Sequence, residues 1–255
     1  MRIFPPLLPI LTATALYAQA PVFEVTSVKF NKLPPRERHT ESGCSPAGRF
    51  VSLGLNLRST FFWAFNMRPF QVTGLPSWID APGAVFDIEA KAAGPVEESQ
   101  CRLLVQTLLE DRFKLAVHRE QRELPAYALV LAKNGPKMRK VNPDDKPKPG
   151  GGVRMFGNPL QVPRGKDPLG GWSMQQLADM LTGQPALDGR PVLDRTGLSG
   201  TYEIDLNFAL VPGVVDAGKP EIFDAVQDQL GLKLESVKAS FETLVVDRLE
   251  KPDAN

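Results

Sequence analysis

Apolar Phe23, Val25 and Val28 interspersed with polar Glu24, Thr26 and Ser27 predict a first strand, and a polar stretch after it reads as a loop. Asn56 then stands where a helix N-cap belongs, with Leu57, Phe61, Ala64 and Phe65 on one face of the helix it would open. Phe70-Gln71-Val72 reads as a short strand, and Phe86-Asp87-Ile88-Glu89-Ala90 alternates as a half-buried strand does. Pro95, Glu97 and Glu98 open a second helix whose apolar stripe is Cys101, Leu104, Val105, Leu108 and Leu109. Two more strands are predicted after it, at Phe113–Val117 and Tyr127–Leu131.

A similar order of signals returns further on. Ser173 and Gln176 form a capping box before a helix striped with Met174, Leu177, Ala178 and Leu181. Strands are predicted at Pro191-Val192 and from Tyr202 to Phe208. A helix from Pro220 carries Ile222, Phe223, Val226 and Leu230 and stops at Gly231, before closing strands at Leu232–Leu234 and Leu244–Val246. Phe113-Lys114-Leu115 aligns with Leu232-Lys233-Leu234, and Phe86-Asp87-Ile88 with Tyr202-Glu203-Ile204, which reads as an internal duplication. The expected fold class is α+β, with two tandem copies of a small helix-on-sheet unit and mostly antiparallel or mixed sheets. Between them, residues 134–171 hold seven Pro and eight Gly without periodicity, a linker or long loop. The expected organisation is therefore a leader at 1–20, an N-terminal lobe at 21–133, the linker, and a C-terminal lobe at 172–255.

The leader is read from Arg2, an apolar run from Ile3 to Tyr17 broken by Pro5, Pro6 and Pro9, and the small-x-small Ala18-Gln19-Ala20. That is a secretory signal cleaved after Ala20, and no later apolar run is long enough to span a bilayer. The expected location is extracytoplasmic, periplasmic or secreted. In such an oxidising compartment the two cysteines of the chain, Cys44 and Cys101, favour a disulfide, the alternative being two unpaired thiols. The 255 residues carry 30 Lys+Arg against 29 Asp+Glu, a balance that sets aside nucleic acid as a partner.

Several long runs are distinctive together. They are Phe23–Lys29, Phe70–Trp78 with Phe86–Lys91, Leu108–Glu120 with Leu124–Lys133, Gly189–Tyr202 and Leu230–Ser236. With these the chain resembles a large family of exported proteins expanded in soil bacteria of the acidobacterial type. The resemblance implies export and no particular activity. More distantly, the order of elements is similar to the short N-terminal domain of secretins and TonB-dependent receptors, which implies a periplasmic interaction module.

The sequence offers little catalytic chemistry. Its two histidines, His39 and His118, lack metal-ligand spacing, and Gly197-Leu198-Ser199-Gly200 reads as a turn. Asp87, Glu89, Asp194 and Asp205 are the carboxylates that a hydrolase of an envelope or extracellular polymer would draw on. No catalytic or metal-binding residue and no cofactor is assigned. Phe62 and Trp63, in a helix with aromatic residues on every side, and Trp78 are the candidate contact surface. The reading these favour is a non-enzymatic extracytoplasmic module binding a protein or cell-envelope component. A carboxylate-dependent hydrolase and a small-ligand binder between the lobes are the alternatives.

Overall fold

The computed structural model describes residues 21–81, 83–142, 144, 153–155, 158–159, 171–209 and 218–252. The leader and its cleavage position after Ala20 lie outside these, as does most of the stretch 134–171. The elements in chain order begin with β1 (Val25–Phe30), β2 (Glu41–Cys44), β3 (Arg49–Asn56), α1 (Leu57–Phe65), β4 (Val72–Thr73), β5 (Val85–Lys91) and α2 (Glu98–Phe113). They continue with β6 (Ala116–Leu131), β7 (Val153–Met155), β8 (Asn158–Pro159), α3 (Met174–Leu181), β9 (Val192–Asp194), β10 (Ile204–Leu206), α4 (Ile222–Leu230) and β11 (Leu232–Arg248). The architecture is α+β. Two compact units divide the described residues, the first made of those within 21–66, 76–116 and 248–252, the second of those within 67–75 and 117–247.

In the first unit an antiparallel sheet has the order β1-β5-β3-β2, so β5 separates strands that are early neighbours in sequence. Strand β3 bends at a register shift between Ser52 and Leu55, where Gly54 takes φ +63°. A Cβ at Gly54 would fall on the carbonyl oxygen of His39, so glycine is required there on two counts. Helix α1 starts where expected, with the Ser59 N–H donating to Asn56 Oδ1 at 3.1 Å. It packs on β3 and α2, and the Phe113 ring at the end of α2 meets Phe86 of β5 edge-on at 5.3 Å. Cys44 and Cys101 are joined by a disulfide that ties β2 to the first turn of α2.

In the second unit the sheet order is β4-β11-β6-β9, with β4 parallel to β11 and β9 parallel to β6. A three-stranded sheet, β10-β7-β8, accompanies it. Helices α3 and α4 bury Leu177, Leu181, Ile222 and Val226 in one core with Leu129, Ile204 and Leu232. The capping box of α3 is complete: the Gln176 N–H donates to Ser173 Oγ and the Ser173 N–H to Gln176 Oε1. Gly231 ends α4 at φ +67°, where a Cβ would fall on the carbonyl oxygen of Gly135.

The strand expectations need four corrections. The polar stretch after the first strand is not a loop throughout, because it holds the β2–β3 hairpin, and Cys44 ends β2. Phe113–Val117 and Tyr127–Leu131 are not two strands: Phe113 closes α2, and one strand of 16 residues runs from Ala116 to Leu131. Likewise Leu232 to Arg248 is a single strand of 17 residues. The polar middles of both long strands stay extended because they pair with each other, through His118 with Asp247, Arg119 with Glu242 and Gln121 with Ser240. Those partners descend as the β6 numbers rise, so the two strands run antiparallel. Pro125 sits within β6 two residues before Tyr127, whose N–H faces β9. Pro125 therefore points its missing donor at the margin that β9 has not yet reached. Finally, Pro69–Gln71 is a 3-10 turn, leaving only Val72 and Thr73 as a strand.

Candidate functional site

Helix α1 carries the first aromatic pair of the candidate contact surface. Its inner face is filled by Leu57, Phe61, Ala64 and Phe65, which leaves Phe62 and Trp63 half-buried at the side. The Trp63 ring lies 5.2 Å from the ring of Phe50 on β3 and 5.0 Å from the guanidinium of Arg102 on α2. Arg102 is itself held by Glu98 one turn earlier, at 2.5 Å, and donates to the Trp63 carbonyl at 2.6 Å. Arg58 stands 5.5 Å from the Phe62 ring and is paired with Asp80 at 2.5 Å. Asp80 closes the 3-10 turn Ser77–Asp80 that carries Trp78, and the Trp78 ring has Lys251 Nζ 5.7 Å from its centroid.

Two separate ion pairs stand beside these rings in the first unit, Arg58–Asp80 between Phe62 and the turn that carries Trp78, and Arg102–Glu98 beside Trp63, and each ring has a cation of the same unit over it. Such contacts stabilise by about 0.5–1 kcal/mol each at partly exposed sites. A partner approaching these rings meets their rims and a mixed Arg/Lys and Asp/Glu border. Arg58 lies one turn before Phe62, but the cations over Trp63 and Trp78 come from 39 and 173 positions away, so those two have no local sequence signal.

The carboxylates offered for acid–base chemistry are occupied in the architecture. Asp87 accepts the Asn31 side-chain amide at 3.0 Å and the Gly54 N–H at 2.8 Å, pinning the bent part of β3 to β5. Glu89 pairs with Arg49 at 2.9 Å. Asp194 accepts the N–H and hydroxyl of Thr196 and so makes the turn after β9. Asp205 is exposed on β10. His39 is exposed beside Glu41. His118 is half-exposed with Nδ1 2.9 Å from Asp247.

A feature that sequence reasoning missed is the margin of the first sheet. Strand β1 is terminal in the order β1-β5-β3-β2 and, among the described residues, pairs on one side only. Large apolar side chains stand exposed in it and just beyond its ends: Val25 at 63% and Phe30 at 49% within the strand, Val22 at 60% before it and Leu33 at 48% after it. These are four of the seven such residues among those described, within one dozen positions. The pattern Phe23–Val28 identifies a strand, but nothing local says that it ends up at an edge. A shallow hollow of about 90 Å³ borders this margin, lined by Val22, Phe23, Thr26, Thr107 and Leu108 among others.

A model of a family described as protein of unknown function, DUF3738, matches residues 58–249, about three quarters of the chain. The chain belongs to the DUF3738 family. No curated protein and no solved structure matches it. The DUF3738 match begins inside α1 at Arg58 and ends just beyond β11, at Leu249. It therefore takes in Phe62, Trp63, Trp78 and Cys101, whereas β1 and Cys44 precede it. No helix among the described residues is long and apolar enough to cross a membrane.

Proposed function

We propose that this DUF3738 protein is a non-enzymatic, extracytoplasmic interaction module that docks a protein partner through the β1 margin of its first unit. The observation that carries the reading is the group of exposed apolar side chains at this margin, Val25 and Phe30 on the two faces of β1 and Val22 and Leu33 just beyond its ends, on a strand whose outer side pairs with nothing described. An edge of that composition presents backbone donors and acceptors together with hydrophobic contact area, the combination that strand addition uses. Export is supported by the leader-like first twenty residues and by the disulfide between Cys44 and Cys101. A hydrolase is disfavoured because Asp87, Glu89 and Asp194 are engaged in holding strands and turns.

The test is site-specific photocrosslinking in cells that express the whole chain, with the probe at Val25 and, as control, at exposed Asp224 of α4. The expected result is a discrete adduct from position 25 in an extracytoplasmic fraction, with Cys44 and Cys101 protected from alkylation. Retention in the cytoplasm with free thiols, or no adduct beyond the control, would overturn the proposal.

A further inference from the structure

Resting on the reading of the β1 margin as the docking surface, we infer that its occupant is the β1 strand of a second copy of this chain. The backbone sets the possible pairing. The Asn31 N–H donates to the Val85 carbonyl, and the ladder places Val25 opposite Lys91 and Phe30 opposite Phe86. Odd-numbered residues of β1 thus turn their N–H and C=O toward β5, and Thr26, Val28 and Phe30 turn theirs outward. An antiparallel pair related by a two-fold axis normal to the sheet keeps each side chain on its own face, so an inward residue must meet an inward one. With the axis at Val28, Val28 meets its own copy and Thr26 meets the second copy's Phe30. Every outward N–H and C=O of the three residues then has a partner, and the two four-stranded sheets become one.

Side chains favour that register over the one centred on Lys29. Thr26 lines the hollow with Val22, Phe23, Thr107 and Leu108, and the register brings the second copy's Phe30, whose half-exposed ring stands edge-on to its own Phe86 at 5.8 Å, beside this hollow. Leu103, half-exposed one turn before Thr107 on α2, stands on the same flank. On the outward face Val25 comes beside the second copy's Asn31 and Leu33, and Lys29 faces Ser27. Glu24 and Lys32 flank the two ends of β1, the Glu24 N–H donating to the Lys91 carbonyl beside Val25, and the antiparallel pairing brings the end of one copy that carries Glu24 to the end of the other that carries Lys32, twice by symmetry. Moving the axis to Lys29 would set two lysines against each other and lose the Thr26 contacts. Self-complementarity in charge, in shape and in main-chain pairing is what selects a second copy over an unrelated extended segment.

The experiment is light scattering and sedimentation of the oxidised chain from Pro21 to Asn255, from about 1 to about 200 μM, a range that brackets micromolar affinity. Wild type is expected to show a concentration-dependent dimer. Phe30→Ala should weaken it by about tenfold or more, since it removes the ring set beside the hollow. Glu24→Lys and Lys32→Glu should each weaken it by about tenfold, because two symmetric attractions become repulsions. The double reversal should recover most of the loss. Near-UV circular dichroism of each variant checks that the monomer remains folded. A monomer at every concentration would overturn the inference, as would single and double reversals of equal effect. If the chain is monomeric while position 25 still crosslinks to another protein, the proposed function stands and this inference falls.

Discussion

Loss of the Cys44–Cys101 bridge is the sharpest test of how the first unit is held. The bond closes a segment of 57 residues that contains β3, α1, β4 and β5. In the chain-entropy account, opening a loop of that length restores about 4 kcal/mol of freedom to the unfolded chain. The folded side changes little in a double alanine variant: Cys44 is only partly buried, and the fully buried Cys101 sits in α2, where alanine has the best helix propensity. The expected destabilisation is therefore about 2–4 kcal/mol, confined to the unit that contains both cysteines. Tryptophan fluorescence separates the units, because Trp63 and Trp78 lie in the first and Trp172 in the second. In a Trp172→Phe background, with an m-value of about 1.5 kcal/mol/M, the urea midpoint should fall by roughly 1.5–2.5 M on replacing both cysteines with alanine. Reduction of the parent chain should produce a similar fall. A shift worth less than about 1 kcal/mol would refute the reasoning, since it would mean that the unfolded chain keeps Cys44 and Cys101 close without the bond.

Three further substitutions test separate parts of the fold. Gly231→Ala should destabilise the second unit by about 2–4 kcal/mol, combining a left-handed backbone with a Cβ set against the Gly135 carbonyl, read by urea titration of Trp172 fluorescence. Ser173→Ala should cost about 1 kcal/mol in the same assay, since it removes the side-chain acceptor for the Gln176 N–H while leaving the helix stripe untouched. Asp87→Ala should cost the first unit about 2–3 kcal/mol by leaving the Gly54 N–H and the Asn31 amide without their charged acceptor, and amide hydrogen exchange at Gly54 should rise with it. An unchanged Gly54 protection factor would remove Asp87 as the anchor of the β3 bend.

The features legible in the sequence were those whose physics is local. Asn56, the Ser173–Gln176 box and Gly231 each satisfy or end a helix through residues within four positions, and all three stand where the pattern put them. The strands that were misread depend on distant partners. In β3 the buried Ser52 looks polar, yet its hydroxyl meets that of Thr60 at 2.7 Å, and a bulge interrupts the alternation two residues later. In β6 and β11 the charged middles imitate a break, but the opposite strand supplies an ion or hydrogen-bond partner for much of that length. The aromatic face followed the same rule, with Trp63 and Trp78 visible as candidates and the guanidinium and ammonium groups over them invisible.

Whether a strand is an edge is the least local property of all, and it is where the reading of function turns. In chain order β1 and β2 are neighbours, but β5 inserts between β1 and β3 and sends β1 and β2 to opposite margins of one sheet. The two margins then received opposite treatment. Strand β2 is four residues long, carries Glu41 and Gly43, and is fastened to α2 by the disulfide, all devices that discourage a further strand from adding. Strand β1 is six residues long, carries Val25 and Phe30 and is bordered by Val22 and Leu33, with Lys29 the one charge inside it. A sheet that only needed to stay monomeric would gain by blunting both margins. Exposed apolar area at one margin beside a blunted one at the other fits the proposed extension of the sheet on a single side, and the Phe30 and charge-reversal variants ask that question directly.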